Sequence, residues 1–313
     1  MIHFDVSYVI TVYNKQKFIS ELINNLKAQN TILKKEYIFV DDASTDASVE
    51  RLKSETEKLQ NVTIIQNKKN YGPSIRLNQG AAKAKGEYLY LLDADELIPN
   101  NATEVLISLL RKHDADFIYG KKLKTGQEIE KINTTLLPST KLSYKILCNP
   151  LNDVLSEKYV GMGLIVKRDI FNKANGCDEH VFIQDESLPL KLAYVAKKFI
   201  SLNHITVFAP KIEGLSTNKN QQHYDRFMAY RNALITFKYI SKESKLKLYK
   251  RAVSSAWKTQ KKDENLIYKI RMFVLYTYTK YFTKKISTKH LDHLNHYMNK
   301  LLSVRKMDTK TLL

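Results

Sequence analysis

The sequence predicts an α/β fold: a Rossmann-like, mainly parallel sheet with helices on both faces, followed by a mostly helical, basic C-terminal region. Three observations lead there. Short β-branched apolar runs alternate with amphipathic stretches through the first hundred residues. Acidic and amide residues gather just past the ends of those runs. After Asp225 the periodicity becomes helical, and Lys and Arg far outnumber Asp and Glu.

Each element follows from its residues. Residues 6–12 are apolar and β-branched, as a parallel strand buried on both faces requires. Residues 18–26 set Phe18, Ile19, Leu22, Ile23 and Leu26 on one helical face. A second strand at 37–40 runs into Asp41-Asp42-Ala43-Ser44-Thr45-Asp46, side chains suited to a turn and to capping a helix over 49–59. A third strand at 62–66 leads through Asn70-Tyr71-Gly72-Pro73 into a helix over 74–84. A fourth, at 88–92, ends in Asp93-Ala94-Asp95-Glu96. Strands joined by helices imply right-handed βαβ units. Beyond them, 103–110 reads as helix, 116–119 as strand and 121–140 as a polar excursion. Gly161-Met162-Gly163 reads as a close-approach loop before a short strand. Gln184-Asp185-Glu186-Ser187-Leu188 precedes a helix that puts Leu188, Leu192 and Val195 on one face. No internal repeat is present.

Composition excludes several classes. With 43% apolar and 27% charged residues, nine Gly and six Pro, the chain of 313 residues is neither collagen-like nor broadly disordered. Two cysteines, Cys148 and Cys177, are too few for a disulfide scaffold. Residues 1–10 lack the basic start of a targeting segment. Residues 266–282 carry Lys269, Arg271 and Lys280, a poor membrane span. The expectation is a soluble cytoplasmic protein. Residues 225–313 hold 21 basic and 6 acidic side chains, so +15 of the chain's +19 lies in this last part.

Asn14, Asp41, Asp42, Asp93 and Asp95 all sit just past an apolar strand, on the rim where open α/β sheets place their ligands. Asp93 and Asp95 are two apart, so in extended chain both carboxylates face one side. Paired carboxylates there suit a hard divalent cation carrying phosphate oxygens.

Four blocks stand in order: Val9-Ile10-Thr11-Val12-Tyr13-Asn14; Phe39-Val40-Asp41-Asp42-Ala43-Ser44-Thr45-Asp46; Asn70-Tyr71-Gly72 with Arg76 and Asn78; and Gly86-Glu87-Tyr88 leading to Asp93-Ala94-Asp95. A fifth is Phe182-Ile183-Gln184-Asp185. Together they resemble the family 2 glycosyltransferases of the GT-A fold, bacterial cell-surface polysaccharide type, across residues 5–217. The resemblance implies a nucleotide-sugar-binding half over 1–100, an acceptor-binding half over 101–220 and the helical basic region over 221–313. It implies a nucleoside diphosphate sugar donor, UDP-linked, with Mn²⁺ or Mg²⁺ on the diphosphate. Thr11 and Asn14 then line the nucleotide pocket with Tyr13 beside the base, and Asp42 accepts from a uracil N–H. Arg76 lies near the nucleotide or its diphosphate, Asp93 touches the ribose or metal shell, and Asp95 binds the metal. Asp185 is the implied general base of an inverting transfer to a hydroxyl; N-capping the following helix is its plainer role. The acceptor class is a bacterial surface glycan (lipopolysaccharide, capsule or teichoic acid) or a lipid-linked precursor, and the sugar a hexose or N-acetylhexosamine.

Some positions depart from the family pattern. Thr11 replaces the commoner Pro and Ala43 the commoner Gly. Gln184 stands where Glu is common, which predicts a smaller like-charge shift on Asp185. His180, His204 and His223 are candidates to complete a metal shell, and Glu213-Gly214-Leu215-Ser216-Thr217 resembles the loop that closes over the diphosphate.

The basic tail has several readings. Lys-rich helices are commonly solvated faces. Arg226, Arg231 and Lys238 could reach an anionic acceptor or the diphosphate. Lys258, Lys261, Lys262, Lys269, Arg271, Lys280, Lys284 and Lys285 interleave with Trp257, Tyr268, Phe273, Tyr276, Tyr278, Tyr281 and Phe282, a mixture suited to the anionic inner leaflet of the cytoplasmic membrane or, through an aromatic helix, to a homo-oligomer. Two other classes use the same tail: a nucleic-acid-binding protein and an inactive scaffold of a glycan-assembly complex. No zinc spacing, RNA-recognition signature or helix-turn-helix accompanies the first.

Overall fold

The computed structural model describes residues 3–126, 129–132, 134, 136–138, 141–156, 162–211, 218–260 and 266–307. The first half runs β1 (Val6–Val12), α1 (Ile19–Lys27), β2 (Lys35–Asp41), α2 (Ser48–Thr56), β3 (Val62–Gln66), α3 (Pro73–Ala81) and β4 (Tyr88–Asp93). It continues with α4 (Ala102–His113), β5 (Phe117–Thr125), a 3-10 turn at Ile129–Lys131, β6 (Tyr144–Leu147), α5 (Pro150–Val154), β7 (Leu164–Lys167), α6 (Arg168–Lys173), α7 (Gln184–Val195) and β8 (Phe199–Pro210). Helices α8 (Lys219–Thr236), α9 (Lys242–Gln260), α10 (Leu266–Tyr281) and α11 (Thr288–Met298) follow.

The strands form one sheet in the order β3-β2-β1-β4-β7-β5-β8-β6. The four from the first hundred residues are mutually parallel. Short β7 is wedged antiparallel between β4 and β5, β8 is parallel to β5, and β6 closes the edge antiparallel to β8. Alternating side chains feed two cores. Val9, Ile38, Val40, Leu89 and Leu91 pack on one face of the sheet; Tyr8, Ile10, Tyr37, Phe39, Tyr90 and Leu92 pack on the other. In the second core the Tyr8 ring stacks between Tyr37 and Tyr90, with centroids 5.1 and 5.4 Å away. Register brings Val12 beside Asp41 and Thr11 beside Asp93, so the carboxyl ends of β1, β2 and β4 meet at one rim.

Two expectations are corrected. The polar excursion over 121–140 begins inside a strand: β5 continues to Thr125, paired with β8 through register shifts on either side of Lys121. The irregularity breaks the alternation that would have marked a strand. The helix carrying Asp185 begins at Gln184, with Ile183 as its N-cap, so Asp185 lies in its first turn and is not the cap. The close-approach reading holds at Gly163, where φ is +78° and a Cβ would sit 1.8 Å from Val207 Cγ2; Gly161 lies outside the described residues.

The C-terminal helices share a core of their own, including Tyr224, Phe227, Tyr249, Val253, Met272, Leu294 and Met298. Helix α8 also packs along α7, so the basic region is joined to the sheet through the helix that bears Asp185. Cys148 and Cys177 are both free thiols.

Candidate active site

At the rim, β4 ends in a knot of charged groups. Thr11 Oγ1 donates to Asp93 Oδ1 at 2.7 Å, and Gln184 Nε2 reaches the same carboxylate at 3.3 Å. Asp95 is ion-paired to Lys15 at 2.5 Å. Glu96, fully buried, is bonded to Lys122 and accepts from the Asp93 backbone N–H. Burial raises the Asp93 carboxyl, opposed by Lys122 and reinforced by Asp95. Burial also pushes Glu96 up to about 8 against the pull of Lys122. Burial alone would lower Lys122, but Glu96, Asp185 and Asp93 around it raise it. Lys122 and Glu96 were not among the residues expected at the site. Lys122 belongs to the stretch that reads as loop, and past the bulge both it and Lys124 line the cleft.

The loop after β2 is braced from below. Asp42 accepts from Tyr71 N at 2.8 Å, Gly72 N at 2.7 Å and Arg76 Nε at 2.7 Å. Most of its acceptor capacity is thus engaged within the chain, although it still lines the cleft. Gly72 takes φ +91°, and a Cβ there would meet the Phe182 ring at 2.3 Å. Asn14 Oδ1 accepts from Thr45 N at 2.8 Å, tying the β1 loop to the β2 loop. Thr11, Tyr13 and Asn14 line the cleft, with Tyr13 largely exposed. Arg76 is not brought to it. Its guanidinium is buried against Asp42, Gln79, the Lys69 carbonyl and the Tyr71 ring, which makes it a brace of the Asn70–Gly72 turn.

Asp185 lines the same cleft as Asp93 and Asp95. Its Oδ1 is buried without a hydrogen-bond partner, and so is Gln184 Oε1. Burial raises the Asp185 carboxyl to about 7; Lys122 opposes the shift, and Asp93 and Glu186 add to it. Desolvation is the main cause, and with an amide at 184 the like-charge contribution comes from Asp93 and Glu186. Gln184 instead acts as a donor to Asp93. Buried Asp225 on α8 accepts from the Ile183 and Phe182 backbone N–H groups at the start of α7, at 3.0 and 3.4 Å. Next to it, Arg226 pairs with Glu186 at 2.7 Å.

The cleft has a volume of about 1480 Å³, and its far wall is basic. Helix α9 contributes Arg251, Ser254, Ser255 and Lys258, an i, i+3, i+4, i+7 stripe on one side. Arg305 reaches the cleft from the C-terminal segment, bonds to Asn70 and lies 4.5 Å from the Phe182 ring centroid. Of the cations expected to reach a ligand, Arg226 lines the cleft; Arg231 pairs weakly with Asp292, and Lys238 is exposed beyond it. None of His180, His204 and His223 lines it, and His180 is engaged with Asp178. Residues 213–217, Lys261 and Lys262 lie outside the described residues. No single-sequence signal marks the α9 stripe, because cations on helices also read as solvated faces.

The acidic rim fits a hard divalent ion. The donor atoms that Asp93 and Asp95 offer there are all oxygen, and Gln184 Oε1, in the same cleft lining, is buried without a partner.

Known proteins share this architecture. A profile described as Glycosyl transferase family 2 matches residues 7–174, just over half the chain. The poly(ribitol-phosphate) beta-glucosyltransferase of Bacillus spizizenii is 36% identical over 119 residues, 37% of this chain and 19% of that protein. The poly(ribitol-phosphate) beta-N-acetylglucosaminyltransferase TarS of Staphylococcus aureus is 23% identical over 223 residues, 69% of this chain and 36% of TarS. The chain thus spans well under two thirds of these curated relatives. The crystal structure of TarS 1–349 with UDP-GlcNAc superposes with TM-score 0.66 at 17% identity, covering 94% of this chain and 87% of that one. The Pyrobaculum calidifontis mannosyltransferase PcManGT, with GDP-Man and Mn²⁺, superposes at 0.56 and 14% identity, covering 96% and 86%. These likenesses show the fold to be GT-A. With the strand-end carboxylates, the Asp42 brace and the profile match in hand, the chain belongs to glycosyl transferase family 2.

Proposed function

We propose that the protein transfers a sugar from a UDP-linked donor to a hydroxyl of a bacterial surface polymer bearing phosphate groups, of the teichoic acid kind. The observation that carries this reading is the buried, unpartnered Asp185 Oδ1 in the cleft that Asp93 and Asp95 also line. Thr11, Tyr13, Asn14 and Asp42 on the β1 and β2 loops form the nucleotide end. Asp95, with Asp93, would hold Mn²⁺ or Mg²⁺, which when bound supplies Lewis-acid neutralisation of the diphosphate. Relatives with UDP-GlcNAc or with GDP-Man and Mn²⁺ support a nucleotide-sugar donor and a metal.

Asp185 takes the proton of the acceptor hydroxyl as that oxygen bonds to the anomeric carbon. The bond from that carbon to the diphosphate oxygen breaks on the opposite face, and the nucleoside diphosphate leaves with the electron pair. Inversion follows. A carboxyl near 7 is matched to this task at neutral pH, where a positioned base contributes roughly 10²–10⁴-fold. The α9 stripe, with Arg226 and Arg305, supports an anionic acceptor, in keeping with relatives named for poly(ribitol-phosphate).

The test is a calorimetric panel of nucleoside diphosphate sugars with and without Mn²⁺. Metal-enhanced binding of a UDP-sugar is expected. Silence across the panel, with salt-sensitive binding of RNA, would move the protein to the nucleic-acid class. Donor binding with no turnover would make it an inactive scaffold, and turnover indifferent to Asp185→Asn would remove Asp185 as the base.

A further inference from the structure

Helix α10 is apolar on two sides. Its inner side, with Met272, Leu275 and Tyr276, packs into the C-terminal core and against Trp257 of α9. Its outer side presents Leu266, Ile267, Ile270, Phe273, Val274, Tyr278 and Tyr281, and Phe282 follows just past its end. All eight are more than half exposed. At 100° per residue the seven helical positions fall in one continuous arc of about 140°. A patch of this kind on an otherwise ordinary surface marks an interaction site.

Its margins identify the partner. On the same helical projection Lys269 and Lys280 fall along one edge of the arc and Arg271 on the other; Lys284 and Lys285 follow the helix. No Asp or Glu occurs from Leu266 to Leu291. Lys280 Nζ lies over the Tyr281 and Tyr276 rings, 4.9 and 5.7 Å from their centroids, a cation leaning across the aromatic edge of the stripe. A second copy of the chain would set these basic margins against each other. An anionic surface would neutralise them while the apolar arc enters its interface. No described helix is long and apolar enough to cross a membrane, so the geometry is that of a helix lying on one.

We propose that the outer face of α10 docks the protein onto an anionic lipid bilayer. Helix α9 lies between this face and the cleft: Trp257 contacts Phe273 of α10 while the Arg251–Lys258 stripe lines the cleft. Docking therefore holds the basic side of the cleft close to the lipid surface. The proposal stands on the helix face and does not depend on the transfer reaction.

The experiment is sedimentation of the full chain with phosphatidylcholine vesicles, with and without phosphatidylglycerol, at low and high salt. Binding only to the anionic vesicles, weakened by salt, is expected. The double variant Ile270→Glu/Val274→Glu changes two exposed side chains and should lower vesicle affinity about tenfold or more. Lys284→Glu/Lys285→Glu should lower it in low salt and matter less in high salt. Circular dichroism and UDP affinity, unchanged in both variants, separate lost docking from lost folding. Three results would overturn the proposal: no vesicle binding by the wild type, equal binding by the Ile270→Glu/Val274→Glu protein, or a dimer in analytical ultracentrifugation that this variant dissociates.

Discussion

Asp225, on the first helix of the basic region, accepts a 3.0 Å hydrogen bond from the backbone N–H of Ile183, the residue that caps the helix carrying Asp185. The C-terminal region thus fixes the start of the helix on which the proposed base sits. Asp225→Ala removes the acceptor of two buried N–H groups and should cost about 1–3 kcal/mol of stability, read by urea unfolding. Burial raises the Asp225 carboxyl from 3.8 to about 7. Between those values the folded chain keeps a proton that the unfolded chain has released. Its stabilising effect is therefore full below about pH 4 and declines as pH rises to about 7. Asp225→Asn should gain on the wild type between pH 5 and pH 8, and denaturation midpoints at the two pH values check the sign.

Asp185→Asn should lower kcat by roughly 10²–10⁴-fold with donor affinity nearly unchanged. In the wild type, kcat/KM should climb with pH and level off above about 7, where the raised carboxyl is ionised. The same variant should unfold at a higher temperature at pH 8, because it no longer buries an anion. Loss of activity together with higher stability is an outcome that simple misfolding does not produce.

Asp95→Ala should abolish the Mn²⁺ enhancement of UDP binding and leave the circular dichroism spectrum intact. It also releases Lys15, whose ammonium is 2.5 Å from that carboxylate. Lys15→Gln should therefore act in the opposite direction and tighten the metal, because it removes a competing cation. Titration of Mn²⁺ by calorimetry with both variants separates the two effects.

Much of the fold is legible in the sequence because its first half is local. Runs such as 6–12 and 88–92 carry their own periodicity, and the acids after them mark strand ends without reference to anything distant. The rest depends on long-range pairing. Nothing in Leu164–Lys167 states that it inserts between β4 and β5. Lys122 reads as loop because the shifts at Lys121 break the strand alternation. Arg76 looks like an anion ligand until Asp42, 34 positions earlier, is seen to hold it. The pKa of Asp185 depends on burial by elements far along the chain, which an adjacent residue such as Gln184 does not report.

The basic wall of the cleft should govern the acceptor and not the donor. Arg251→Gln with Lys258→Gln should raise the KM for a phosphate-bearing polymer acceptor about tenfold or more, with UDP-sugar affinity unchanged. Steady-state kinetics in both substrates reads the split. Rising salt should reproduce the effect in the wild type and have less effect in the variant.

Arg305 bonds to Asn70 across 235 positions of sequence. Every described strand of the sheet precedes position 211, so the sheet can assemble while this clasp is still unsynthesised. On a translating ribosome the side of the cleft that Arg305 lines is consequently completed last, after helices α8 to α11 have emerged. A nascent chain can thus have a finished sheet while its cleft still lacks one wall.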